Sequence, residues 1–288
     1  MSSAQLAAGT VLDGITLRSA VRTRVGAVTY DAVDAQGQTV GVTVYDPACF
    51  PSALVLERSL REIRQLQTID HPRIAKVLAC GKLPSGGTYE VHVPLPGASL
   101  ADHLAAGPVA VGDAIALAQQ IGEALVEAQK AGVIHRNLGA EVVFPSPDGV
   151  IVTGFAVGAP LGGRSFGAYD AIAPEQVEGK VVDQRTLIYN LAALIVYMLR
   201  GAPLFTGEVA TVLADHLSTE VPADVPHPLP RALAKDPRMR PMMLRQFLGE
   251  LPGITGAPPR PGAAQAPPSS RGWTMFTSAV DSDATQAA

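Results

Sequence analysis

Residues 133–156, VIHRNLGAEVVFPSPDGVIVTGFA, constrain the chain more than any other stretch. Two short apolar runs flank the polar turn Ser146-Pro147-Asp148-Gly149, the pattern of a small hairpin. The basic pair His135-Arg136 precedes it, and Gly154-Phe155-Ala156 follows. A helix-period pattern over 111–131 delivers the chain into this stretch, with Ala114, Leu117, Ala118, Ile121, Leu125 and Ala128 on one side and Gly132 as its cap. Beyond it, 184–201 reads as a buried helix whose apolar run is interrupted by Asn190.

The N-terminal third has a different period. ITLRSAV, VTYDAV and TVGVTVY read as three antiparallel strands, separated by polar turns at Arg22-Thr23-Arg24 and Asp34-Ala35-Gln36-Gly37. A helix over 52–69 follows, with Leu56, Leu60, Ile63, Leu66 and Ile69 recurring at three- and four-residue steps, and Pro72 stops it. Segments 74–80 and 88–93 give two more strands around Pro84-Ser85-Gly86-Gly87. The expected class is α+β: a small lobe of five antiparallel strands plus one helix, then a mostly helical lobe.

Composition removes several functions. The net charge of −4, with 17% charged residues, gives no electrostatic footprint for nucleic acid. The six histidines are scattered, so no metal site is expected. Cys49 and Cys80 lie far apart and read as reduced residues of a cytosolic protein. The start has no basic and apolar signal-peptide pattern. The longest apolar run, 187–199, falls short of the roughly 20 residues that span a bilayer. A soluble, cytoplasmic protein without a membrane span is the expectation.

In order and spacing these motifs resemble the protein kinase superfamily, in its bacterial serine/threonine branch. HRNLGAEV stands where that family writes HRDLKxxN, and Gly154-Phe155 where it writes DFG. Val93-Pro94-Leu95-Pro96-Gly97 matches the hinge between lobes, Ala173-Pro174-Glu175 the APE motif, and Lys235-Asp236-Pro237-Arg238-Met239-Arg240-Pro241 the KDPxxRP motif. The resemblance covers about 15–251. It implies a bilobal fold, with an N-lobe over 13–93 and a C-lobe over 94–251, between a flexible leader (1–12) and a Pro/Ala-rich disordered tail (252–288).

The chemistry-bearing positions depart from the family. Thr43 replaces the nucleotide lysine, Asn137 the catalytic aspartate, and Val142 and Gly154 the two metal ligands. Arg22, Arg24 and Ala27 align with the three phosphate-loop glycines. Glu62, the lysine's usual partner, is left with Arg58 at i−4 as a local alternative. The family's helix aspartate that anchors the catalytic loop is Leu187. Fold-holding residues are kept: Leu66, His135 and Phe155 as an internal spine, and the Glu175–Arg240 pair.

The expectation is thus no enzyme and no cofactor: a pseudokinase acting as a scaffold or allosteric regulator in bacterial signalling. The alternative is an atypical kinase or nucleotide sensor binding ATP without metal through a vestigial cleft of Val93, Leu95, Thr43 and Glu62. The tail carries Trp273 and Phe276 as docking anchors and Thr274, Thr277 and Ser278 as phosphorylation candidates, for an active kinase or a phosphopeptide-binding domain.

Overall fold

The computed structural model describes residues 5–155, 157 and 169–255. The small lobe is an antiparallel sheet of six strands: β1 (Val11–Leu12), β2 (Ile15–Arg24), β3 (Ala27–Val33), β4 (Thr39–Tyr45), β5 (Val77–Lys82) and β6 (Thr88–His92), in the order β1-β2-β3-β4-β6-β5. It has one strand more than the sequence suggests. Residues read as a leader supply β1, which pairs Val11 with Thr16 and Leu12 with Ile15. The Leu6 amide donates to the Tyr30 hydroxyl at 2.7 Å, so the lead-in packs on the sheet.

The second difference matters for the cleft. The polar run Arg22-Thr23-Arg24 is not a turn: β2 continues through it, and the reversal falls on Val25-Gly26, with Gly26 at φ +74. Hairpin loops of two residues favour such a positive φ. Because alternate strand residues share a face, Arg22 and Arg24 are delivered together to one side of the sheet.

Helix α1 (Ala53–Gln67) starts on Ser52, whose hydroxyl accepts from the Val55 amide, and buries Leu60, Ile63 and Leu66. The large lobe holds α2 (Leu100–Leu104), α3 (Val111–Lys130), the hairpin β7 (Val143–Ser146) and β8 (Gly149–Val152), α4 (Pro174–Val177), α5 (Gln184–Arg200), α6 (Val209–Ser218), α7 (Leu229–Ala232) and α8 (Leu244–Glu250). Helix α5 is the axis. Asp183 caps its start through the Arg185 amide, Gly201 ends it at φ +66, and Leu187 to Val196 are fully buried. The core continues past the expected end of the lobe, since Ile254 is buried too.

Beside α5 lies the kept ion pair. Arg240 donates from Nη1 to Glu175 Oε1 at 2.7 Å and from Nη2 to Oε2 at 2.9 Å. Its remaining N–H groups reach the carbonyls of Ala234, Arg185 and Lys235, and Thr186 donates to the same Glu175 oxygen. Side-chain exposures of 0% and 5% make this a desolvated pair. Removing one partner of such a pair strands a buried charge, at a cost of about 3–5 kcal/mol. In urea titrations, Arg240→Met is expected to lose stability on that scale, and Arg240→Met with Glu175→Leu to recover much of it. Equal losses in the single and double variants would contradict this account.

Candidate functional site

The cleft between the lobes is built from β2, β3 and β4 above and the 133–157 stretch below. His135 organises its floor. Its Nε2–H donates to the Thr153 carbonyl at 3.0 Å, which leaves Nδ1 to accept the Asn137 amide at 3.1 Å. Its ring lies 4.5 Å from that of Phe155. Leu66 belongs to the same buried cluster as Phe155. Burial pushes the imidazole down to about 3, so it is neutral and its tautomer is fixed by these two bonds.

Glu62 does not face solvent, as a helix glutamate without its lysine would. It is buried and grips Arg136, 74 residues away, with Arg136 Nη2 to Oε1 at 3.0 Å and Nη1 on Oε2. Arg58, the expected local partner, is further off at 3.8 Å. One charge-assisted pair therefore ties the small-lobe helix to the loop of the large lobe.

Thr43 has also been absorbed. Its hydroxyl lies 3.0 Å from that of Thr29 and 3.0 Å from His92 Nε2, and His92 Nδ1 lies 2.8 Å from the Val93 carbonyl. A carbonyl only accepts, so Nδ1 carries the proton. With the proton on Nδ1, Nε2 is left as the acceptor for Thr43, which in turn accepts from Thr29. Gly41 makes this relay fit, since any Cβ there would strike the His92 ring. The Val93 carbonyl, expected to be free for a ligand at the hinge beside Leu95, already accepts one hydrogen bond.

Arg24 reaches the far end of the cleft. Gly154 sits at φ +76, and a side chain there would begin 3.2 Å from Val142 and 3.4 Å from Arg24 Nη2. The guanidinium also lies 5.7 Å from the Tyr45 ring centroid. Among the described residues Arg24 makes no ion pair. The family's divalent metal does not fit these residues: Val142 and Gly154 offer it no side-chain oxygen, and the Arg24 guanidinium, a cation, stands beside Gly154. Arg22 crosses the other end, bonded to Asp102 at 2.8 Å. Bonds from Arg22 and Ser99 hold the Asp102 carboxyl down at about 2.

Two anchors escaped the sequence reading. Gln176 Nε2 donates to the Arg136 carbonyl at 2.8 Å, while its Oε1 accepts from the Ala173 amide and from Asn190 Nδ2. Asn190 also donates to the Ala171 carbonyl at 2.6 Å. They brace the catalytic-loop backbone, a task the sequence reading counted as lost with Leu187. The signal was present: a lone Asn in an apolar helix needs buried partners. Below the hairpin tip at Val25 opens a cavity of about 400 Å³, lined by Glu141, Tyr169, Asp170, Tyr197 and Phe205. Burial, with Glu141 nearby, pushes Asp170 up to about 6. Trp273, Thr274, Phe276, Thr277 and Ser278 lie outside the described residues.

The depressed imidazole of His135 has a consequence for stability. A histidine that stays neutral when folded but charges when unfolded supports the fold above its unfolded value, near 6.5. That support declines as pH falls from 6.5 towards about 3. Melting curves of wild type and His135→Gln should converge as pH drops from 7 to 4, because the variant lacks this penalty. A pH-independent gap between the curves would contradict a buried neutral ring.

No protein-family model matches the chain. The serine/threonine-protein kinase pkn2 of Myxococcus xanthus is 27% identical over 281 residues, covering 83% of this chain and 33% of its own length. PrkC of Bacillus subtilis is 27% identical over 202 residues, covering 63% and 31%. PknA of Mycobacterium tuberculosis is 28% identical over 266 residues, covering 84% and 61%. The chain thus spans about a third of the length of the first two. Among solved structures, the Mycobacterium tuberculosis PknI kinase domain superposes with a TM-score of 0.68 at 21% identity, over 86% of this chain and 99% of that domain. The relatives are named as serine/threonine-protein kinases, which points to an enzyme, and the expectation of a non-enzyme is corrected on that finding. The chain thus has the protein kinase fold and is similar in sequence to bacterial serine/threonine-protein kinases.

Proposed function

We propose that this chain is an atypical member of the serine/threonine protein kinase class, which binds nucleotide phosphates through arginine instead of a divalent metal and passes the state of its cleft to a protein partner. The carrying observation is Arg24, a guanidinium that stands beside Gly154 and makes no ion pair among the described residues. A fixed cation at that end of the cleft favours a polyanion, and arginine's planar fork matches phosphate oxygens.

In this reading Val93 and Leu95 edge the seat of the base. Thr43 and Glu62, taken by the relay and by Arg136, support the cleft without touching the ligand. Because the Glu62–Arg136 pair joins helix and loop, a ligand that moves either lobe shifts this contact, which is the coupling a regulator needs. The tail around Trp273 and Phe276, with hydroxyls at Thr274, Thr277 and Ser278, is the segment we assign to partner binding.

A ligand of the folded state raises the melting temperature by roughly 5–10 °C at a hundredfold excess over Kd, for a protein of this size. ATP and ADP are expected to produce such a rise at least as large in EDTA as in Mg²⁺, and Arg24→Ala to lose it. A rise that requires Mg²⁺, or none under either condition, would overturn the reading.

A further inference from the structure

Arg22 belongs to the small lobe, yet its guanidinium is bound in the large one. Nη1 donates to Asp102 Oδ2 at 2.8 Å, and Nη2 to the carbonyl of Gly97 at 3.3 Å. The planar group lies over the Phe144 ring, 4.9 Å from its centroid. Gly97 ends the hinge, Asp102 stands at the start of α2, and Phe144 is the second residue of β7, two positions past Val142. Two register shifts in β2, between Leu17 and Ala20 and between Ala20 and Arg22, precede it. Such bulges bend a strand and re-aim the side chains that follow.

This arrangement has the chemistry of a bound heterocycle. The guanidinium is flat and delocalised, rests on an aromatic face, and turns N–H donors on its edge toward a carbonyl and a carboxylate. A planar base with N–H donors, entering beside the hinge, would use the same face and the same acceptors.

We propose that Arg22 is an internal competitor for the base of the nucleotide, closing the hinge end of the cleft until a ligand displaces it. This rests on the reading of the cleft as a nucleotide site. Side-chain exposures of 24% for Arg22 and 52% for Asp102 make the closing contact a half-solvated one, easily exchanged. A site that is open for only a fraction of the time has its apparent affinity reduced by that fraction. One exposed ion pair and one cation–π contact correspond to about a three- to tenfold penalty.

The experiment is calorimetric titration of the full chain in EDTA with adenosine, which carries the base without phosphate, and with ATP. Wild type is compared with Arg22→Ala, Arg22→Lys and Arg18→Ala, the last removing an exposed arginine from the same strand. Arg22→Ala should bind both ligands about three- to tenfold more tightly, Arg22→Lys should fall between it and wild type, and Arg18→Ala should match wild type. Binding by Arg22→Ala alone would support the gate in its tightest form. Equal or weaker binding by Arg22→Ala, with wild type still binding, would overturn the gate and leave the nucleotide reading standing. Wild-type affinity in Arg22→Lys would reduce the contact to a plain ion pair and overturn competition for the base seat. No binding by any variant would overturn the nucleotide reading, and the gate with it.

Discussion

A carboxylate and a guanidinium, both removed from water, satisfy one another at Glu175 and Arg240, and the large lobe is arranged around them. Charges buried to this degree are tolerated only when every donor and acceptor finds a partner. Arg240 meets that condition with a two-pronged bond to Glu175 and further bonds to three backbone carbonyls. Each bond fixes a different segment: α4 through Glu175, the start of α5 through the Arg185 carbonyl, and the loop after α7 through Ala234 and Lys235. From this anchored start α5 runs through the lobe, and its Asn190, with Gln176 of α4, holds the backbone of Arg136 and Ala171. The precision of the cleft floor thus derives from a pair well below it.

Arg136 carries that order upward. Its carbonyl is held by Gln176 and its guanidinium by Glu62, so a single residue connects the large-lobe scaffold to helix α1. The small lobe answers with a polar relay, Thr29 to Thr43 to His92 to the Val93 carbonyl. The position matched to the family's nucleotide lysine is therefore neither empty nor merely apolar. It has become part of a buried hydrogen-bond chain that spans three strands and reaches the hinge, and burying such a chain is inexpensive because its members satisfy one another. Positive charge near the cleft sits instead on Arg136, which Glu62 of α1 holds, and on Arg24 at the end of the cleft.

The three long helices, α1, α3 and α5, were legible in the sequence because their burial imposes a 3.6-residue period that survives most substitutions. The helix bounds near 52 and 201 and the pair Glu175–Arg240 were readable too, since each has a local or motif-borne signature. Strand β2 was not. Its bulges break the alternation that marks a half-buried strand, so Arg22-Thr23-Arg24 reads as a polar turn. The Glu62–Arg136 pair was hidden by separation, since two charges 74 residues apart leave no mark on local pattern. Asn190 stood out as an interruption, but only the fold reveals which carbonyl it serves. What the sequence concealed were long-range polar contacts, and the cleft is composed of them.

The arginines and the lost glycines are two sides of one structural fact. A glycine-rich turn lets backbone amides approach phosphates closely, and it needs a loop that can leave the strand geometry. Here the strand persists through Arg24 and reverses in two residues, so this segment is held in register with β3 and forms no open loop over the cleft. Positive charge can then enter the cleft only on long side chains. Arg22 and Arg24, two apart on one strand face, supply it at both ends of the cleft, at Asp102 and at Gly154. Gly154 completes the exchange: at φ +76 it holds a backbone shape that favours glycine, and the missing side chain leaves the space against which Arg24 lies. An aspartate at that position would strain the backbone and crowd Val142, 3.2 Å from its Cβ.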